Sequence, residues 1–284
     1  MEQPRRFRSG DTQEHFEHGP IGLVVDIHGP AENRNLGFDR GFVRFGQILD
    51  ELVEDLTLLQ TNASRAHALT GSIAHYMNAA ALSVAEAGYV TPMIAVAGAV
   101  ADEVCRVIKS DSELTQVVVN NGGDIAFSLS DGEQLRVGVV SNPLEPALLG
   151  RATVSAESRI RGVATSGRHG RSLSMGIADS VSVFAASAAI ADAAATVIAN
   201  AVMVESDQVV QQPAVELDAS SDLGQRLVTV EVGSLSDAQI QEALAAGQIV
   251  ADTLLEAGTI EGAVLCLSGQ SCAVSEQNLL QLEP

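Results

Sequence analysis

The sequence predicts an α+β fold, with an antiparallel sheet covered by helices and a C-terminal βαβ-like element. Three observations carry this. Runs rich in β-branched residues at 116–120, 124–129 and 134–140 are separated by Asn121-Gly122-Gly123 and Ser130-Asp131-Gly132-Glu133, turn chemistry that joins strands into an antiparallel meander. Helical periodicity falls in separate, longer segments on either side of them. The chain of 284 residues is 46% hydrophobic with a mean hydropathy of +0.19, and its 25 Gly and 8 Pro follow no period, so a sizeable core is available.

Residues 22–27 (Gly-Leu-Val-Val-Asp-Ile) read as a strand that His28-Gly29-Pro30 ends. From about 40 to 59, Phe42, Phe45, Ile48, Leu49, Leu52, Val53 and Leu56 recur every three or four residues, the pattern of an amphipathic helix. A second helix covers about 73–87. After Thr91-Pro92, residues 94–108 form a helix rich in small residues that permit close backbone approach, with Arg106 and Lys109 at its C-terminal turn. A fourth strand is expected near 152–155. A further strand, 180–184, leads into an Ala-rich helix from about 186 to 203. The apolar stretch 177–204 contains Asp179 and Asp192, so it reads as a buried strand and helix and not as a membrane span.

These elements divide the chain into a core, 1–205, a polar linker or excursion, 206–226, and a strand–helix–strand element, 227–284, packed on the core. Pro213 and the lack of any period mark the linker. In the last part, 227–232 is a strand, Ser236-Asp237-Ala238-Gln239 has the form of a capping box, Gly258 stops the helix, and 263–267 is a strand.

Sixteen Lys and Arg stand against 36 Asp and Glu, a formal charge of −20 that repels polyanions. With 3% aromatics and no Trp there is also little to stack on bases, so nucleic acid is not an expected partner. Three cysteines without C-x-x-C spacing imply neither a zinc site nor a disulfide framework, and no apolar run follows the basic N-terminus. The expected setting is cytoplasmic, without membrane contact and with homo-oligomerisation left open. The histidines form no H-E-x-x-H pattern, and there is no G-x-S-x-G, Walker or G-x-G-x-x-G motif.

Chemistry concentrates between Arg151 and Arg171. Five arginines (Arg151, Arg159, Arg161, Arg168, Arg171) face one acid, Glu157, which inverts the sign of an otherwise acidic chain. Thr165, Ser166, Gly167, Ser172 and Ser174 alternate hydroxyls with glycines there, so backbone N–H groups can turn toward an oxyanion. The same residues also read as a solvated loop. Asp192 and Thr196 lie i, i+4 on one helix face, where carboxylate and hydroxyl reach a hard cation together, and Asn200 continues the row. Asp124 and Asp179 are further metal candidates or turn caps, and His169 is the candidate for proton transfer.

The blocks Thr91-Pro92-Met93-Ile94-Ala95-Val96-Ala97-Gly98, Asn121-Gly122-Gly123-Asp124-Ile125, Thr165-Ser166-Gly167 through Asp179, and Ala191-Asp192-Ala193-Ala194-Ala195-Thr196 resemble, in order, a family of ApbE-like proteins. The wider superfamily is similar to the ApbE flavin transferases, which bind FAD and a divalent metal and attach the flavin nucleotide to a threonine. The resemblance matches Asn121, Gly122, Gly123 and Asp124 to the N-x-G-G-D block and implies that Asn121, Gly122, Gly123, Thr165, Ser166 and Gly167 line a flavin or nucleotide site, with Asp192 and Thr196 holding Mg²⁺. The H-x-x-D-P-x-T-G segment of the flavin transferases is missing between the T-S-G loop and that helix. The expected function is therefore a metal-assisted transferase or hydrolase acting on a small anionic molecule, with Arg168 or Arg171 on the anion. A non-catalytic sensor or carrier that retains the pocket is the alternative.

Overall fold

The computed structural model describes residues 3–65, 68–110, 113–141, 148–170, 172–275 and 280–282. The chain opens with strands β1 (Arg5–Arg8), β2 (Gln13–His18) and β3 (Ile21–His28), then helices α1 (Ala31–Leu59), α2 (Ser72–Leu82) and α3 (Val96–Ile108). Strands β4 (Gln116–Asn121), β5 (Asp124–Leu129), β6 (Gln134–Val140), β7 (Leu148–Ser155), β8 (Gly162–Ser166) and β9 (Ser180–Ala185) lead to helix α4 (Ala188–Ala201). The remainder is β10 (Val209–Pro213), a single turn α5 (Ala214–Leu217), β11 (Leu227–Val232), α6 (Asp237–Glu256), β12 (Gly262–Leu267), β13 (Gln270–Ser275) and β14 (Leu280–Leu282).

Among the described residues, nine strands form one sheet in the order β1-β2-β3-β4-β5-β8-β9-β12-β13, antiparallel at every step. The central strands explain its layering. β9 and β12 are buried at every residue, and successive side chains of a strand leave on opposite faces. Val183, Ala263 and Leu265 therefore enter the core under the helices, whereas Phe184, Val264 and Cys266 enter a second core with Val137, Val139, Ala152 and Val154. A three-stranded sheet, β14-β7-β6, closes that far face. No helix among the described residues is long and apolar enough to cross a membrane.

The α+β reading with an antiparallel sheet under helices holds, and the differences have local causes. The expected meander divides: β4 and β5 stay in the large sheet, while β6 pairs with β7 over its far face. The β1–β2 hairpin gives no apolar alternation, because β2 buries Glu14 and His18 alongside Phe16. Helix α1 begins at Ala31, well before its apolar period, since Pro30 supplies the start and Asn33, Arg34 and Asn35 hide it. The segment expected as a linker contains β10, paired antiparallel with β11, and α5.

At the C-terminal end the strand–helix–strand order is present, and Ser236 and Gln239 form the capping box. Its strands do not make a parallel βαβ unit, which requires both in one sheet. β12, apolar throughout, takes the doubly covered slot beside β9. The largely exposed β11 pairs with β10 in a separate two-stranded ribbon.

Candidate functional site

Helix α4 organises the site, and its start is fixed by donors and acceptors that leave little freedom. The first N–H groups of a helix have no partner within it. Ser187 Oγ accepts from Ile190 N at 3.2 Å, while Asp102 of α3 accepts from Ala188 N at 3.0 Å and Ala189 N at 2.8 Å. Tyr76 Oη of α2 donates to the same carboxylate at 2.9 Å. Burial pushes the Asp102 carboxyl up to about 6, against the pull of the Ala189 and Ala188 N–H groups and of Tyr76. Two glycines let the backbones meet: a Cβ on Gly98 would lie 2.2 Å from Ala188 O, and one on Gly162 would lie 2.0 Å from Ala188 N.

One turn along α4, Asp192 Oδ2 accepts from Gly98 N at 3.0 Å, at the start of α3. Burial first, and then the charge of Asp124, hold the Asp192 carboxyl well above the ordinary carboxylate range, opposed by the Gly98 and Ala97 N–H groups. The two carboxylates thus share one neighbourhood, although they come from a hairpin and a helix. Asp124 follows the turn Gly122-Gly123, whose φ values of +67° and +115° account for the glycines. Asn120 Oδ1 accepts from Gly123 N at 2.8 Å, and Asn121 Nδ2 donates to Ala97 O at 3.1 Å, tying the hairpin to α3.

Asp124 Oδ1 also accepts from Thr165 N at 3.3 Å, so the N-N-G-G-D turn meets the T-S-G strand end. Thr165 Oγ1 is 2.8 Å from Ser182 Oγ. At the far end of the helical row Asn200 Oδ1 accepts from Met175 N at 2.9 Å and from Ser174 Oγ at 3.5 Å. The row Asp192, Thr196, Asn200 therefore spans from the start of α3 to the 172–176 loop, with Thr196 partly buried between.

Asp179 lies elsewhere and has other partners. Its Oδ1 accepts from Arg168 Nε at 2.9 Å and Nη2 at 2.7 Å and lies 3.2 Å from His169 Nε2, while Oδ2 accepts from Ser268 N at 2.6 Å. Ser268 and Gly269 turn β12 into β13 with φ values of +49° and +79°. Asp179 thus joins the T-S-G loop to that turn. The arginines that cluster in sequence separate in space: Arg151 is exposed on β7, Arg159 faces Glu261 at 3.4 Å, and Arg161 donates to the Ala156, Ser158 and Ile160 carbonyls. Arg171 lies outside the described residues. Ser172 is exposed, Ser166 half-buried, and Ser174 is buried with Gly176 O at 3.3 Å.

Among the described residues no three His, Cys, Asp or Glu side chains gather closely enough to hold a metal. The Asp124, Asp192 and Thr196 donors are all oxygens, the set a hard cation takes, and Mg²⁺ commonly draws on only one or two carboxylates beside substrate phosphate. Two acidic side chains close enough for the charge of Asp124 to act on Asp192 are the feature such a cation fits. Asp102 and Tyr76 had no sequence signal, because an acid within an Ala- and Val-rich helix and a tyrosine on another helix look like ordinary surface residues.

The family model described as AbpE bacteria matches residues 5–273. The crystal structure of an ApbE protein from Thermotoga maritima is similar, with a TM-score of 0.51, 12% identity and 97% of each chain covered. The apo structure of the flavinyl transferase ApbE from Pseudomonas stutzeri gives a TM-score of 0.53 and 12% identity over 97% of this chain and 95% of that one. At this identity the likenesses bear on the fold alone. Among curated proteins none matches this chain.

Proposed function

The chain belongs to the AbpE bacteria family, and on that premise we propose that it binds a small phosphate-bearing molecule of flavin or nucleotide type with a divalent cation and transfers or hydrolyses a group at that phosphate. The observation that carries this reading is the convergence of Asp124 and Asp192: burial first, and then the charge of Asp124, hold the Asp192 carboxyl well above its ordinary range. The flavinyl transferase activity in the name of the Pseudomonas stutzeri relative supports a flavin-like substrate.

Asp192, Asp124 and Thr196 would hold Mg²⁺. When bound, the cation neutralises charge on phosphate oxygens. The chain's own contribution is positional: Asn200 fixes the 174–175 backbone, and the Thr165 amide is held by Asp124. His169 Nε2 is taken by Asp179, which leaves Nδ1 as the nitrogen that accepts or returns a proton. The formal charge of −20 supports a single small anion in place of a polymer. A second reading, a non-catalytic carrier, is supported by the commitment of both Arg168 and His169 to Asp179.

The test is calorimetric titration and thermal shift with Mn²⁺ and FAD on the wild type and Asp192→Ala. Millimolar Mn²⁺ should raise the wild-type melting temperature by about 2 °C or more, through mass action, and leave Asp192→Ala unmoved. No Mn²⁺ response in the wild type overturns the reading. Release of FMN or AMP from bound FAD separates enzyme from carrier.

A further inference from the structure

Helices α3 and α4 stand in a reciprocal relation that the proposed chemistry does not use. Asp102, one turn beyond Gly98 on α3, accepts from Ala188 and Ala189 at the start of α4; Asp192, one turn beyond Ala188 on α4, accepts from Gly98 at the start of α3. Each helix supplies the acceptor for the other's unpaired first-turn amides. We propose that these two caps act as one unit, in which Asp102 is a positioning residue that sets the place of the Asp192 carboxylate.

Three observations support the coupling. Ser187 serves Ile190, so the Ala188 and Ala189 amides depend on Asp102. Tyr76 donates to the Asp102 oxygen that also receives Ala189, which fixes the rotation of the carboxylate. The missing Cβ of Gly98 brings α3 onto the Ala188 carbonyl, so the first turn of α4 has no slack against α3. A helix rises about 1.5 Å per residue as a stiff unit, so a displacement of Ala188 carries Asp192 with it. The effect on cation affinity rests on the reading proposed above, whereas the coupling of the caps does not.

Amide hydrogen exchange resolved by NMR tests this without a cation. In Asp102→Leu, Ala188 and Ala189 should exchange faster, and Gly98, on the other helix, should also exchange about 10-fold faster or more, with Val183 of β9 within about 2-fold of the wild type. Asp102→Asn keeps one of the two acceptor oxygens and should leave Gly98 exchange between that of the wild type and that of Asp102→Leu. Because coupling is mutual, Asp192→Ala should accelerate Ala189. If Asp102→Leu does not fold, Asp102→Ser, too short to reach both amides, takes its place. Gly98 unchanged while Ala188 and Ala189 accelerate overturns the proposal, as does equal acceleration of Gly98 in the Asn and Leu variants. As a second arm, electron paramagnetic resonance of free Mn²⁺ should report at least about 5-fold weaker uptake by Asp102→Leu than by the wild type. Gly98 acceleration in a protein that takes up no Mn²⁺ supports the coupled caps and overturns only the cation reading.

Discussion

Arg168 meets Asp179 through two guanidinium nitrogens on a single carboxylate oxygen, Nε at 2.9 Å and Nη2 at 2.7 Å. The pair is largely shielded, with 23% and 10% of the two side chains exposed. Breaking it from one side leaves a charge without its partner, which costs more than the pair contributes. Arg168→Ala should lose about 2 kcal/mol of stability, and adding Asp179→Asn should recover about 1 kcal/mol of the summed losses. Denaturant melts of the two single variants and the double variant check this; strictly additive losses would show that the two residues act independently.

Asp102 makes stability depend on pH with an unusual sign for a carboxylate. Its folded value of about 6 lies above the ordinary 3.8, so between those values the folded state binds more protons than the unfolded, and stability falls as pH rises. The contribution is fully present below about pH 4 and lost through about pH 6, reaching up to about 3 kcal/mol. Asp102→Asn cannot titrate. The melting temperature of the wild type minus that of Asp102→Asn should drop by about 5 °C from pH 4 to pH 7. A constant or rising difference contradicts the assignment.

Gly162 should tolerate no side chain. Its Cβ would lie 2.0 Å from Ala188 N and 2.2 Å from Ser187 C, backbone atoms that cannot move alone, whereas nothing lies within 4 Å of a Cβ at Gly22. Gly162→Ala should cost more than about 3 kcal/mol and Gly22→Ala less than about 0.5 kcal/mol. Chemical denaturation of both variants separates them, and similar stabilities would mean that α4 can retreat from β8.

Protein flavinylation should be absent. The interval from Gly167 to Asp192 carries His169 without the H-x-x-D-P-x-T-G segment, and His169 Nε2 is engaged by Asp179. Incubated with FAD, Mg²⁺ and a threonine-bearing acceptor domain, the protein should yield no fluorescent acceptor on a denaturing gel. A band that requires both metal and Asp192 would place it among flavin-attaching enzymes.

What could be read in advance follows from which signals are local. The Asp192–Thr196–Asn200 row is a helical period, the Ser236–Gln239 capping box is a spacing of three, and the apolar runs of β9 and β12 state their own burial. Signals that depend on distant partners were silent or misleading. The arginine cluster looks like one anion site in sequence, yet Arg159 and Arg161 are spent on Glu261 and on turn carbonyls. Asp179 resembles a cation ligand until Ser268, far along the chain, supplies its second donor. Residues 206–226 lack a period because β10 is a short, half-exposed strand whose partner lies in β11.

The place of β12 between β9 and β13 bears on how the protein is made. Domains emerge from the ribosome amino end first. When β8, β9 and α4 are already outside, β9 still has an open edge lined by Val181 and Val183, and Asp179 still lacks the Ser268 amide. The large sheet cannot close, and Asp179 cannot gain its last donor, until residues near 268 have been translated. An apolar strand edge left open for that interval is a template for pairing with other chains, and it is an edge that β12 covers in the finished fold.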